Sequence, residues 1–517
     1  MFSSTFGMAI AGLQAHLIRI EVDVSNGLPG FEIVGLAAAA VRESRDRVRS
    51  ALRNSGFNFP MQRITVNLAP ADLRKEGSGL DLPIAIGILL ATGQCSPDRA
   101  KDGVFVGELS LEGVLRPISG ILAMTVALQE KAAEVNQMLG SAQATFFVPP
   151  DNLTEARLVD GVKSGSALTL AELVQGLHGE AALPDLLPER AATAESIPSP
   201  TVDWREIRGQ NQAKRALEIA AAGGHNVILV GPPGAGKTIL AKAYAGVLPS
   251  LSNQESLEVS QIYSMAGLLG NRGALIKERP FRHPHHTATV AGVMGGGREM
   301  HPGELALANH GVLFLDEIPE FSREVLESLR QPLEERVFTL TRLKGSIDFP
   351  ARVSVIASMN PCPCGFYGDE RGVCSCTPKQ VRAYRNRLSG PLLDRFDLQI
   401  EVPRLSYGEL QESNEGNDSS RQVRERVTAA RFRQWERLGQ NRTNAEMSGK
   451  ETREVCRLSV ASERLMQRIF EIHGLSARAH DRVLKVAKTI ADLKRKDEIA
   501  PEHLAEAQQF KLSEVFA

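Results

Sequence analysis

The chain has no excess of charge. In 517 residues, 60 lysines and arginines face 61 aspartates and glutamates, for a formal net charge of −1. That balance does not announce a polyanionic partner, so any basic surface must be local and offset by acids elsewhere. Long apolar runs are also missing. The longest, Leu82 to Ala91, is about half of what crosses a bilayer, and the amino terminus lacks a signal-peptide pattern. The expectation is a cytoplasmic protein with no membrane partner. Cysteine is scarce too, with six in all, and four of them fall between positions 362 and 376. That excludes a disulfide framework and points to a metal site or a local redox cluster. No internal repeat is visible.

What is present organises around Asn226–Thr238, NVILVGPPGAGKT. Val227 to Val230 read as a fully buried strand that Gly231 breaks. Gly231, Pro232, Pro233, Gly234, Ala235, Gly236, Lys237 and Thr238 then match the phosphate loop G-x-x-x-x-G-K-[ST]. Glycines let consecutive backbone N–H groups turn inward around a triphosphate, and the next helix points its positive end at the same anion. Lys237 suits the β- and γ-phosphates of ATP, and the Thr238 hydroxyl suits Mg²⁺. Downstream, a second buried strand, Gly311-Val-Leu-Phe-Leu, ends in Asp316 and Glu317. Asp316 fits an outer Mg²⁺ contact, and Glu317 fits the polarising of an attacking water. A third strand, from Val353, ends at Asn360, placed to sense the γ-phosphate. Ser389–Asp397, SGPLLDRFD, offers Arg395 either to a neighbouring subunit's γ-phosphate or to an ion pair with Asp394 or Asp397. The segment Trp204–Gln210 stands where ring ATPases wrap the adenine.

The pattern predicts an α/β chain in four parts. Residues 1–177 alternate strand-like stretches (His16–Val24, Arg63–Leu68, Val104–Val106, Thr145–Val148) with helical ones (Ala37–Asn54, Leu82–Ala91, Gly120–Glu134). A linker rich in alanine, proline and acids occupies 178–203. The phosphate loop lies in a parallel-sheet core over 204–403, and 404–517 read as a helical lid.

Leu68–Leu89 with Val106–Ile121 resembles the proteolytic domain of Lon-type proteases, whose chemistry needs a serine nucleophile and a lysine. Here the nucleophile position falls within Ser78–Asp81 and the lysine position on Leu122, which cannot take a proton. Ser78 with Lys75 is the remaining, displaced dyad. The expectation is a Lon-like fold without peptidase activity.

The order of the motor motifs resembles the AAA+ ATPases. Lys214–Asn226, Pro280–Thr287, Pro302–Phe321, Ser389–Asp397 and Ser476–Leu493 are similar to the magnesium-chelatase-like subgroup called YifB or ComM. The resemblance covers essentially the whole chain. It implies a homo-hexameric, ATP- and Mg²⁺-dependent DNA motor that drives branch migration of recombination intermediates during natural transformation. It also implies that Arg478 is a lid arginine contacting the γ-phosphate within its own subunit. Two other classes stay open: an ATP-dependent protease, and a chelatase-type remodeller of a protein partner.

Three further features bear on partners. Val337–Pro350 reads as a hairpin turning at Lys344-Gly345 and resembles the pore hairpin of ring helicases, with Arg342 and Lys344 at a tip that could track single-stranded or branched DNA without regard to sequence. The alternative is an ordinary surface hairpin. The glycine-rich stretch His285–Gly303 is expected to be mobile and could form a second pore element, with His283, His285 and His286 as structural or loop residues. On the helix through Ala37–Asn54, Arg42, Arg45, Arg49 and Arg53 share one stripe, either a phosphate-backbone contact or a solvated face. Cys362, Cys364, Cys374 and Cys376 form C-x-C, nine residues, C-x-C, a pattern able to surround a structural Zn²⁺. Labile thiols or a redox pair are the other possibility.

Overall fold

The computed structural model describes residues 1–36, 38–75, 77–180, 202–269, 274–296, 301–342, 345–369, 372–411 and 417–510. Most of the expected linker, and Lys344 at the hairpin tip, lie outside them. None of the helices among the described residues is long and apolar enough to cross a membrane.

The amino-terminal part is built on a seven-stranded mixed sheet in the order Gly30–Val34, Arg63–Ala69, Gln14–Ser25, Phe2–Ala11, Gly103–Phe105, Thr145–Phe147, Lys163–Gly165. In Gln14–Ser25, alternate residues Ile18, Ile20, Val22 and Val24 are buried, the period-two pattern of a strand with one face on a core. Burial of such a side chain is worth about 1.5–3 kcal/mol over exposure. The helix Asp81–Ala91 is apolar all round and lies inside, close enough to the sheet that a Cβ on Gly87 would stand 2.7 Å from Val22. The strand Phe2–Ala11 has no apolar alternation to announce it; its buried positions are Thr5, Gly7, Met8 and Ala9, mostly small. The predicted helix Gly120–Glu134 is two helices, Ile121–Glu130 and Ala132–Leu139, that meet at Lys131.

The second sheet has five parallel strands in the order Phe281–Arg282, Val312–Leu315, Ser354–Met359, Val227–Val230, Leu398–Glu401. Val227–Val230 comes first in the chain yet sits between the two last strands. The connections therefore diverge at its carboxyl end, the place where open α/β sheets bind ligands. Its four residues are all buried because both faces are covered. One face packs on Leu217, Ala220 and the carboxyl-terminal helices through Val423, Val427 and Leu484; the other packs on Ile262, Phe321 and Leu326.

Leu122 and Val126 join this second core, so the amino-terminal part is seated on the motor sheet's flank. Gly120 N donates to Ser264 O at 3.1 Å. The buried Glu155 carboxylate accepts from Leu122 N at 2.8 Å and from the Ser264 hydroxyl. The hairpin also touches this part: a Cβ on Gly12 would lie 2.6 Å from Ile347. From Ser420 on, the described chain is helical, and His225 ties it to the sheet by bridging Asp397 at 3.0 Å and Thr489 at 2.9 Å.

Candidate functional site

Gly231 N donates to Met359 O at 3.2 Å, and a Cβ at this position would fall 2.1 Å from Val402 O, so only glycine fits the exit from the strand. Gly234 and Gly236 have φ of +78° and +92°, the left-handed region that other residues adopt at a cost. The turn they make delivers the chain to the helix Lys237–Val247, whose first N–H groups face the loop. The residues thus form a cradle of backbone donors fitted to a phosphate chain.

The buried Lys237 ammonium donates to Gly231 O at 2.6 Å, Pro232 O at 2.9 Å and Asn360 Oδ1 at 3.1 Å. Burial pushes its pKa down, and the carboxylates of Asp316 and Glu317 oppose that shift. Thr238 Oγ1 donates to Asp316 Oδ2 at 3.3 Å. These contacts bring the Lys237, Thr238, Asp316 and Asn360 side chains, each at the carboxyl end of a different strand or the start of the loop helix, into one site. Glu317 follows with φ of +52°, a left-handed non-glycine conformation of the kind concentrated at functional sites. Its N–H donates to Ser358 Oγ at 3.2 Å, and the same hydroxyl donates to Asp316. Ser358 carries no sequence signal beyond being polar in an apolar strand.

Gln210 reaches the loop, its amide donating to Pro403 O at 2.7 Å and Ala235 O at 3.4 Å, while the Trp204 ring is buried in the core. His283, in the loop that follows Phe281–Arg282, lies beside the site. Its Nε2 lies 4.0 Å from Asp316 Oδ2 and its ring packs 4.8 Å from Phe314. His285 instead contacts Thr287 and His286.

Arg395 and Arg478 are not part of this cluster. Arg395 precedes the amino-terminal end of Leu398–Glu401, and Asn226 Nδ2 donates to its carbonyl at 3.1 Å. The strands between that edge and the phosphate loop alone span about 13 Å. The Arg395 guanidinium donates to Pro391 O at 2.6 Å and pairs with Glu334. Arg478 pairs with the other oxygen of the same Glu334 at 3.4 Å. Arg482, on the same helix, pairs with Asp394 at 2.8 Å. The implied contact of Arg478 with its own subunit's γ-phosphate therefore does not fit: both arginines stand together at the sheet end opposite the cradle. The bland alternative for Arg395, a pair with Asp394 or Asp397, also fails, because Arg482 and His225 occupy those acids.

The four cysteine sulfurs lie within 4.8 Å of one another, the one such group of potential metal ligands among the described residues. Cys362–Cys364, Cys364–Cys374 and Cys362–Cys374 are 3.4, 3.6 and 3.7 Å apart. Thiolates on a tetrahedral Zn²⁺ stand about 3.8 Å apart, so the set fits that ion. A backbone N–H bond from Phe366 leads the effects that bring the Cys364 thiol down to about 5, while the contacts with Cys364 and Cys362 push the Cys374 and Cys376 thiols up. The loop abuts the nucleotide cradle, since a Cβ on Gly365 would lie 2.5 Å from Pro233.

The remaining candidates divide. Lys75 is buried and donates to Gly35 O at 3.1 Å, Leu68 O at 2.9 Å and Pro70 O, whereas Ser78 bonds Glu108. The displaced dyad does not exist. Asp81 is fully buried in a two-pronged pair with Arg47 at 2.6 and 3.0 Å, and Leu122 is core. Arg42, Arg45, Arg49 and Arg53 are all exposed, with Arg45 against Asp46 at 3.4 Å and Arg49 and Arg53 lying 5.6 and 5.8 Å from the Phe59 ring. The hairpin pairs Val337–Arg342 with Gly345–Pro350, and the buried rings of Phe338 and Phe349 stack at 5.5 Å at its base. In the described parts of 285–303, residues 285–292 are exposed or partly buried, and the chain then turns inward. Val293 and Met294 are buried, and Gly303 comes so close to Gly295 that a Cβ would overlap it.

Three family models cover most of the chain: magnesium chelatase subunit ChlI over residues 203–410, subunit ChlI of Mg-chelatase over 20–140, and the ChlI carboxyl-terminal region over 417–511. The chain is similar to competence protein ComM of Haemophilus influenzae, with 44% identity over 98% of this chain and 96% of the relative. It is also similar to the uncharacterized protein YifB of Escherichia coli, with 42% identity over 97% and 96%. An uncharacterized Mycobacterium tuberculosis protein is 41% identical over 98% of both chains.

Proposed function

The chain belongs to the magnesium-chelatase-like AAA+ family that contains ComM and YifB, and from that premise we propose that it is an ATP-driven, hexameric DNA motor acting on recombination intermediates in natural transformation. One observation carries the reading. Lys237, Thr238, Asp316 and Asn360 gather at one end of the sheet, while Arg395 and Arg478 wait together at the other. A site so divided is complete only when the arginine edge of one copy faces the cradle of the next.

The backbone of 231–238 and the Lys237 ammonium would hold the triphosphate, releasing the contacts to Gly231 O and Pro232 O. Thr238 and Asp316 would hold Mg²⁺, which supplies neutralising charge to the phosphate oxygens. Glu317 takes the proton of the attacking water, and Asn360 orients that water. Arg395 and Arg478 of the neighbouring copy leave Glu334 to meet the charge that develops on the γ-phosphate. The name of the ComM relative, a competence protein, supports a role with incoming DNA. Residues 1–177 would serve as a Lon-like docking domain without peptidase chemistry, 178–203 as a linker, 204–403 as the motor core and 404–517 as the lid.

The test measures ATP hydrolysis with and without single-stranded or branched DNA, beside casein degradation. DNA-stimulated, salt-sensitive turnover without proteolysis is expected. Turnover indifferent to DNA would favour a chelatase-type remodeller, which the family models also support. Lys344→Ala should lose the stimulation and Holliday-junction migration while keeping basal hydrolysis. Intact migration would remove the hairpin from the DNA path.

A structural Zn²⁺ on Cys362, Cys364, Cys374 and Cys376 would stiffen the step from Asn360 to the arginine edge. Cys364→Ser should lose stoichiometric zinc and several degrees of Tm. Because Gly365 rests on Pro233, its affinity for ATP should fall as well. Metal analysis of protein purified without chelator decides the point, and absence of zinc would refute it.

A further inference from the structure

At the amino-terminal edge of the motor sheet, core and carboxyl-terminal helices line a half-open pocket of about 50 Å³ whose wall includes Arg279, Arg336, Arg352, Arg431, His310 and Glu446. That is room for one tetrahedral oxyanion or about four waters. Its charges do not balance. Arg279 is neutralised by Glu255 at 3.2 Å, and His310 sits between Glu255 at 3.3 Å and Glu258 at 2.7 Å. Glu446 is the remaining carboxylate, and it accepts from Thr443 N at 2.7 Å and Thr443 Oγ1 at 3.2 Å.

Arg336, Arg352 and Arg431 form no salt bridge among the described residues, although the charges of Glu255 and Glu446 act on Arg431 and that of Glu258 acts on Arg352. Arg336 donates only to carbonyls, Val353 O at 3.1 Å and Gly224 O at 3.3 Å. Arg352 is exposed at the mouth, with no hydrogen bond from its side chain. Arg431, on the helix Ser420–Leu438, is only 8% exposed; its Nε donates to Ala221 O at 2.9 Å, and its terminal nitrogens meet no acceptor. Burial, reinforced by the charge of Arg279, brings Arg431 down to about 10. Guanidinium forks that line one pocket and have donors to spare match the oxygens of a phosphate group.

We propose that this cavity binds a phosphate-sized oxyanion, which ties Arg431 of the lid to Arg336 and Arg352 of the core. The shared chemistry is a phosphate group, from free inorganic phosphate or from a nucleic-acid strand. The small volume of the pocket favours the free ion.

The test uses full-length Lys237→Ala protein, so that the phosphate loop contributes little. Inorganic phosphate, titrated at constant ionic strength against chloride, should raise Tm and bind by calorimetry. Arg352→Ala, at an exposed position, should weaken that binding about ten- to a hundredfold, and Arg431→Gln should do the same. An oligonucleotide that fails to displace phosphate identifies the free ion as the ligand, and one that displaces it only while Arg352 is present identifies strand phosphate. No phosphate binding in this background, or binding unchanged by both substitutions, overturns the site.

Discussion

Arg395→Ala should lower ATP turnover by about 10³–10⁵-fold, the range lost when an arginine finger is removed, while the variant still binds ATP. The cradle explains the retained binding: Gly231 to Thr238, Asp316 and Asn360 make no contact with Arg395, which lies past the opposite ends of the strands. On the proposed shared site, the loss would arise because Arg395 completes another copy's site. That gives the result a form that no within-chain role shares. Lys237→Ala protein, also inactive, keeps a sound Arg395. Mixed with Arg395→Ala protein, it should restore part of the turnover at those junctions where an intact cradle faces an intact arginine. Arg478→Ala should behave alike in the mixing experiment, because Glu334 holds the two guanidiniums side by side. Hydrolysis at full rate by a strictly monomeric Arg395→Ala protein would end the shared-site account.

The second large effect belongs to Glu317. Glu317→Gln should bind ATP and assemble, yet hydrolyse about 10²–10⁴-fold more slowly, the usual worth of a positioned general base. The substitution keeps the shape and the hydrogen bond from the residue's own N–H to Ser358, so the left-handed turn at position 317 is undisturbed. Only the capacity to take a proton is lost. A single-turnover measurement separates the two steps, and an unchanged rate would move the base elsewhere, with His283, 4.0 Å from Asp316, as the first residue to replace.

Much of the site is legible in the chain because its parts are local. A phosphate loop needs glycine where the backbone is left-handed or touches Val402 O, and lysine at the helix start, so spacing alone announces it. The cysteine pattern is legible for the same reason, since the two C-x-C pairs are each local in the chain. The strand Phe2–Ala11 is not legible, because small residues buried against Gly87 and Pro83 leave no apolar alternation. His283 is not either: a histidine before a proline looks like any other loop residue until Phe314 and Asp316 are beside it.

The sequence by itself determined the chemistry available: a phosphate cradle, two carboxylates after a buried strand, a polar sensor, two arginines and four thiols, each written in a few adjacent residues. Tertiary structure alone decided which of these meet. It sent Arg478 away from its own cradle to share Glu334 with Arg395, turned the lysine and serine of the displaced dyad to carbonyls and to Glu108, and set three guanidiniums that form no salt bridge among the described residues around one pocket. The physical reason is that strand order and the docking of the last helices bring residues hundreds of positions apart into contact, and side-chain chemistry carries no record of that order.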